Sequence, residues 1–169
     1  DFLIALCQKG FKNLNLKRGS EEHKKYTDRI YYELDILKEL GFVDYILLVW
    51  KVIHFCNTSD IPVGLGRGSA AGSFVLYLLG VTKIDSVKYD LFFERFVSKI
   101  RAKKKVVDGV TYLDGSLMCD IDMDVCYYKR KNVLKYLEQE FKGKTSKIRT
   151  LNTLSGKLVM KECGKTVED

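Results

Sequence analysis

The sequence has few of the residues that build thiolate metal sites or cross-linked scaffolds: five cysteines, two histidines and one proline among 169 residues. The cysteines form no Cys-x-x-Cys pair, and the histidines, His23 and His54, stand apart from them. These absences exclude a zinc site or a disulfide framework as the organising feature. An odd number of scattered cysteines is typical of a reducing compartment, so we expect a cytoplasmic location.

Long apolar runs are missing as well. No run approaches the roughly 20 residues of a membrane-spanning helix, and no signal peptide is visible, so no membrane partner is expected. The length and a hydrophobic fraction of 46% instead predict one globular domain over residues 1–169. Because the chain begins at Asp1 without an initiator methionine, we expect it to be a piece of a longer protein.

The net charge is +7, and the basic residues are unevenly distributed. The clearest cluster is KIRAKKK at residues 99–105, which includes Lys103, Lys104 and Lys105. Such a cluster indicates either a polyanionic partner or a solubilising surface loop, and the sequence alone leaves both interpretations open.

Helical periodicity dominates residues 1–60, which we interpret as a helical lead-in. Residues 2–16 place apolar and basic side chains at helical spacing, which predicts a short amphipathic helix. Ser20 is a suitable N-cap for a second helix that Gly41 ends. Residues 42–56 are apolar almost all round, which is typical of a helix buried on most of its surface.

A glycine-rich stretch, GLGRGSAAGS, occupies residues 64–73. Glycines let backbone amides approach a ligand, and a helix beginning directly after them would point its positive end at the same place, so phosphate is the expected ligand. Arg67, inside the glycine run, supports this interpretation. The spacing matches neither the Walker A motif nor the dinucleotide fingerprint, and close helix packing is the alternative role for the small residues.

Two further predictions concern residues 85–118. Asp85 is expected to cap a helix that runs to Phe96 and carries Glu94 and Arg95, so that residues 61–100 form a phosphate loop with helices. The sequence VVDGVTY at residues 106–112 predicts two strands joined by an Asp-Gly turn, and residues 101–118 then form a basic hairpin.

Three aspartates alternate with apolar residues in CDIDMDV, residues 119–125. In a strand of an antiparallel sheet, Asp120, Asp122 and Asp124 would share one face while the apolar residues enter a core. Like charges this close repel unless a cation lies between them, and carboxylate oxygens suit magnesium. A solvated edge strand with its acids in water is the alternative. Residues 119–169 continue with a helix at 127–141, a short strand at 148–151 and a last helix from Thr153 to Gly164.

The order of these motifs resembles the palm domain of family C DNA polymerases, the bacterial replicative polymerase III alpha subunits and their PolC-like relatives. The similarity extends from about residue 2 to residue 165 and includes six segments: ELDIL (33–37), GFVDYILLVW (41–50), PVGLGRGSAAGS (62–73), YDLFFERF (89–96), DIDMD (120–124) and LNTLSGK (151–157). Residues 101–118 are longer than in the family and resemble an insertion. The combination suggests a divergent palm fragment of phage or mobile-element origin, located in a bacterial cell or an infected host.

The resemblance implies an α+β fold, a nucleotidyltransferase palm of the polymerase-beta type with a mixed or antiparallel sheet flanked by helices. It implies that Gly68 and Ser69, with Gly66 beside them, hold the incoming triphosphate. Basic positions near that triphosphate match Arg67, Arg95 and Lys157.

The same resemblance assigns two magnesium ions to Asp122 and Asp124, with Asp120 in a supporting position. It implies template-directed DNA synthesis by a DNA-directed DNA polymerase, with primer–template DNA, a deoxynucleoside triphosphate, the remaining polymerase domains and a sliding clamp as partners. The family's third catalytic aspartate lies downstream of residue 169, so we expect this chain alone to be inactive. Two other functions stay open: a non-catalytic nucleic-acid-binding domain with this fold, and a template-independent nucleotidyltransferase.

Overall fold

The computed structural model describes residues 1–97, 104–108, 110–113, 119–149, 151, 153 and 155–165. These residues belong to two compact units, Asp1–Tyr136 and Leu137–Asp169. None of the described helices is long and apolar enough to cross a membrane.

Three helices occupy the first part of the chain: α1 (Phe2–Lys12), α2 (Glu21–Glu39) and α3 (Val43–Thr58). The Ser20 hydroxyl accepts a hydrogen bond from the His23 amide at 3.1 Å, which confirms the predicted N-cap of α2. Gly41 follows that helix with a φ of 73°, a conformation that favours glycine and ends the helix as predicted.

The glycine-rich segment forms a short 3₁₀ turn, Gly68–Gly72, followed by the five-residue helix α4 (Phe74–Leu78). Helix α4 lies in the centre of the core, where Leu37, Ile46, Phe74 and Phe93 have no exposed surface. Helices α1 and α2 both pack against α4. The glycine-rich turn is therefore attached directly to the most buried helix of the unit.

The helix expected after Asp85 is not formed, and this prediction is wrong. Asp85 does cap the chain here, because its carboxylate accepts hydrogen bonds from the amides of Val87 and Lys88, both at 3.0 Å. The segment is nevertheless a turn followed by a separate 3₁₀ turn, Phe93–Arg95. Asp90 has a φ of 52°, and this left-handed conformation prevents a continuous helix.

The predicted mixed or antiparallel sheet flanked by helices is also wrong. The described residues are mainly helical, and their regular strands are limited to a hairpin of β1 (Lys104–Val107) and β2 (Val110–Leu113), paired antiparallel. Within the described parts of the chain, the acidic stretch joins no sheet, and a single bridge pairs its Val125 with Val63. Alternating acids and apolar residues specify which side chains face the core, but they do not supply a neighbouring strand with which to form a ladder.

Two helices follow the acidic stretch. A 3₁₀ turn, Tyr127–Lys129, leads into α5 (Arg130–Glu140), and α6 is Gly156–Lys165. Gly143 has a φ of 71° in the turn after α5, close to the predicted helix end. Residues 148, 149 and 151 form no strand, and α6 begins three residues after the predicted cap, Thr153.

Candidate metal and phosphate site

The glycine-rich segment and the acidic stretch lie side by side, although they are far apart in sequence. The amide of Gly64 donates to the Asp124 carbonyl at 2.8 Å, and the Cys126 amide donates to the Pro62 carbonyl at 3.0 Å. These two bonds flank the antiparallel bridge between Val63 and Val125. The backbone entering the glycine run is thus fixed against the backbone that carries the last aspartate.

The three aspartates are exposed, as the alternation predicted, while Cys119, Ile121 and Met123 pack against the core. A further contact fixes the start of this stretch, because the Tyr45 hydroxyl of α3 donates to the Cys119 carbonyl at 3.0 Å. Core packing on one side and hydrogen bonds at both ends therefore hold the acids toward solvent.

Arg67 connects the two motifs electrostatically. Its Nε atom lies 3.8 Å from Oδ2 of Asp122 and 3.5 Å from Oδ1 of Asp124. The side chains are more than half exposed, 61% for Arg67, 55% for Asp122 and 61% for Asp124. Solvent screening limits such pairs to about 1 kcal/mol or less each, so the contacts are easily exchanged for other partners.

Two glycines have conformations that the turn requires. Gly66 has a φ of 91°, and a Cβ atom there would lie 2.9 Å from Cγ2 of Thr82. Gly68 has a φ of 66°, and its Cβ would lie 3.7 Å from Oδ2 of Asp122. The backbone at Gly68 therefore passes close to Asp122, the acid for which the sequence predicts a metal-binding role.

The donor set fits a divalent cation in part. Asp122 and Asp124 both approach one cationic nitrogen, so their oxygens already converge on a single positive charge, and carboxylates suit magnesium. Across the part of the chain that the structure describes, no group of three or more histidine, cysteine, aspartate or glutamate side chains forms a metal site. The structure thus brings together a pair of acids, and it does not place Asp120 with them in a three-carboxylate cluster.

The other predicted site residues lie on three separate elements. Ser69 is half-buried in the 3₁₀ turn next to Gly68, and Arg95 is exposed at the end of the second 3₁₀ turn. That second turn packs against the first. Lys157 lies on α6 in the second unit, and its role stays a prediction. Lys103 lies outside the described residues, and Lys104 and Lys105 belong to β1.

Sequence reasoning missed the residue that holds Ser73 and the start of α4, which is Glu33 of α2. This glutamate is fully buried, and its carboxylate accepts four hydrogen bonds from Arg29 Nε, Ser73 Oγ and the amides of Phe74 and Val75, all between 2.7 and 2.9 Å. Burial raises the pKa of Glu33 above its ordinary value, and the four donors act in the opposite direction. The one signal in the sequence was its position between Ile30 and Leu37 on the apolar stripe of α2.

This arrangement corrects one expectation about phosphate binding. The amides at the start of α4 were expected to face a phosphate, but those of Phe74 and Val75 donate to Glu33. The anion at this helix start is therefore the protein's own buried carboxylate. The part of the segment left to meet a ligand is the turn that contains Arg67, Gly68 and Ser69.

Comparison with known proteins agrees with the resemblance seen in the motifs. The sequence model of the bacterial DNA polymerase III alpha NTPase domain matches residues 1–168. The DNA polymerase III subunit alpha of Borreliella burgdorferi is 39% identical over 145 residues, which cover 85% of this chain and 11% of that protein. The subunit of Chlamydia trachomatis is 37% identical and covers 99% of this chain and 13% of its own length.

A more distant relative gives the same match. The DNA polymerase III subunit alpha of Bacillus subtilis is 33% identical over 166 residues, 98% of this chain and 13% of the relative. Across the curated relatives described, the chain spans between 11% and 13% of their length.

Proposed function

The chain belongs to the bacterial DNA polymerase III alpha family, and on that premise we propose that it carries the metal-binding acids and the triphosphate turn of a replicative DNA polymerase. The proposed reaction is template-directed transfer of a nucleotide from a deoxynucleoside triphosphate to a primer 3′-hydroxyl. One observation supports this most directly: the acids of one motif and the arginine of the other meet at 3.5 and 3.8 Å.

In this proposal, Asp122 and Asp124 supply carboxylate oxygens for magnesium. The chemistry that magnesium supplies when bound is Lewis-acid stabilisation of the attacking hydroxyl oxygen and of the leaving pyrophosphate. Arg67 neutralises charge on the triphosphate, and the backbone at Gly68 lets the phosphates come close to the acids. Primer–template DNA would be held through its phosphates by exposed lysines and arginines, while base pairing selects the nucleotide.

Divalent-metal binding tests the assignment of the acids. We expect Asp122→Asn and Asp124→Asn each to weaken binding of Mn²⁺, used as a spectroscopic substitute for magnesium, by at least about tenfold, because each removes a charged ligand. Asp28→Asn, an exposed acid on α2, is the charge-matched control and should leave the affinity unchanged. Equal affinity for Mn²⁺ in the wild type and in Asp122→Asn would contradict the proposed site.

Primer extension tests the expectation about the isolated chain. The resemblance to family C polymerases implies a third catalytic aspartate beyond residue 169, and on that implication we expect the purified 169-residue chain to incorporate little or no nucleotide. The measurement is extension of a labelled primer on a template with all four nucleotides and magnesium. Robust extension would show that the two acids suffice.

A further inference from the structure

One face of α2 makes polar contacts with both segments that flank the proposed triphosphate position. Besides its contact with Glu33, Arg29 uses Nη2 to donate to the carbonyl of Gly72 at 2.8 Å and to the carbonyl of Leu91 at 2.7 Å. Gly72 ends the 3₁₀ turn that begins at Gly68, and Leu91 opens the segment that carries Arg95. One guanidinium therefore holds the backbone of both segments.

A second contact from the same face reaches the same segment. The hydroxyl of Tyr32 donates to the carboxylate of Glu94, the residue directly before Arg95. Residues 29, 32 and 33 are three and four positions apart, so they lie together on one side of the helix. Glu33 binds the start of α4, Arg29 joins the two segments, and Tyr32 fixes the second one.

The two segments also touch each other. A Cβ atom at Gly72 would lie 2.6 Å from the carbonyl oxygen of Phe92, so the backbones meet with no room for a side chain. A displacement of the second segment would therefore be felt at the end of the glycine-rich turn. The contacts from α2 hold this junction from one side.

We propose that Arg29, Tyr32 and Glu33 are positioning residues that hold the turn carrying Arg67 and Gly68 in a fixed relation to the segment carrying Arg95. Resting on the proposed function, this gives α2 a role in binding the triphosphate without contact to it. Bidentate recognition of phosphate by arginine depends on orientation, so the spacing of the two arginines controls affinity.

The chemistry of the contact supports a role beyond stability. A buried ion pair contributes little net stabilisation compared with apolar residues of similar volume, since both charges must leave water. Here every donor to the Glu33 carboxylate comes either from Arg29 or from the residues at the start of α4 that this carboxylate holds. Apolar packing could fill this space, but it could not set the direction of four separate polar groups.

Hydrogen exchange measures the positioning role without a ligand. Arg29→Lys keeps the charge beside Glu33 but removes the forked contact with Gly72 and Leu91. We expect amide exchange in peptides covering residues 64–73 and 91–97 to accelerate at least about tenfold, and exchange in α3 to stay unchanged. Helix α3 is the internal control because the hydrogen bonds of Arg29 go to Glu33, Gly72 and Leu91, which all lie outside that helix. Arg18→Lys, in the exposed loop before α2, controls for the substitution itself.

Ligand affinities of the full 169-residue chain measure the functional consequence. Tyr32→Phe removes one hydroxyl on the exposed side of the contact and should leave the melting temperature close to that of the wild type. We expect it to weaken binding of a deoxynucleoside triphosphate with magnesium about three- to tenfold, with Mn²⁺ affinity unchanged. Tyr31→Phe, the exposed neighbour, should have no effect.

The outcomes separate the two proposals. Unchanged exchange in Arg29→Lys overturns the positioning role. Suppose that exchange is faster in Arg29→Lys but that Arg29→Lys and Tyr32→Phe both bind the triphosphate as the wild type does. That result overturns the link between the positioning role and substrate binding. A wild-type chain that binds Mn²⁺ but no triphosphate overturns the proposed function, while the exchange result still decides the positioning role.

Discussion

Two arginine–carboxylate contacts in this protein use the same chemistry in opposite surroundings. Arg29 meets Glu33 at 2.7 Å, with side chains 20% and 0% exposed. Arg67 meets Asp122 and Asp124 at 3.8 and 3.5 Å, with all three side chains more than half exposed. The first contact is short, buried and saturated with donors, whereas the second is long, open and shared between two acids.

The first contact therefore stabilises the fold, whereas the second is available for a ligand. A buried carboxylate that lost its donors would stay in a medium of low dielectric, so the contact cannot be exchanged without large cost. An exposed carboxylate exchanges an arginine for water or for a metal ion at little cost. The following predictions, from the largest effect to the smallest, test that distinction.

Removing the buried carboxylate should have the largest effect. Glu33→Ala leaves Arg29, Ser73 and two amides at the start of α4 without their acceptor, so we expect the free energy of unfolding to fall by about 3 to 5 kcal/mol. Urea denaturation measures this loss. Glu138→Ala, an exposed position on α5, should change it by less than about 0.5 kcal/mol. A loss below about 1 kcal/mol in Glu33→Ala would remove the distinction between the two contacts.

A substitution in the turn between these contacts should have an intermediate effect. Gly66→Ala combines a positive φ with a Cβ placed 2.9 Å from Cγ2 of Thr82, so we expect a loss of about 1 to 3 kcal/mol in the free energy of unfolding. Gly19→Ala is the matched control, because Gly19 has a φ of 84° and nothing within 4 Å of its Cβ position. Equal losses in the two variants would mean that backbone strain alone acts at Gly66.

The open contact should affect ligands more than stability. Arg67→Gln removes the cation that competes for Asp122 and Asp124, so we expect Mn²⁺ without nucleotide to bind about three- to tenfold more tightly. The free energy of unfolding should change by less than about 1 kcal/mol. Calorimetric titration at low salt gives the affinity, and the gain should shrink at high salt because screening weakens the competing contact.

In that titration, Arg130→Gln is the control that distinguishes direct contact between Arg67 and the acids from the general effect of nearby positive charge. Arg130 lines a surface hollow together with Asp124, so its removal changes the local charge and leaves the Arg67 contact in place. An equal gain in affinity from Arg130→Gln would show that Arg67 acts only through the surrounding field.

Local sequence patterns predicted much of the helical part of the fold. The N-cap at Ser20 and the end of α2 at Gly41 formed as expected, because capping depends on neighbouring residues and on the φ that glycine allows. The helix after Asp85 did not form, since Asp90 adopts a left-handed conformation that the apolar spacing did not reveal. The predicted mixed or antiparallel sheet was wrong because a strand needs a partner strand, and strand pairing is not determined by the local sequence.

The same division applies to the candidate site. The sequence alone predicted that Asp120, Asp122 and Asp124 face away from the core, because they alternate with Ile121 and Met123, which pack against it. Only the tertiary structure decided which charges meet, since the Val63–Val125 bridge and the packing of α2 on α4 join residues that are distant along the chain. Burial then separates Glu33 from the exposed acids. A carboxylate in water can exchange its partner for a ligand, whereas a buried carboxylate must keep the donors that stabilise the fold.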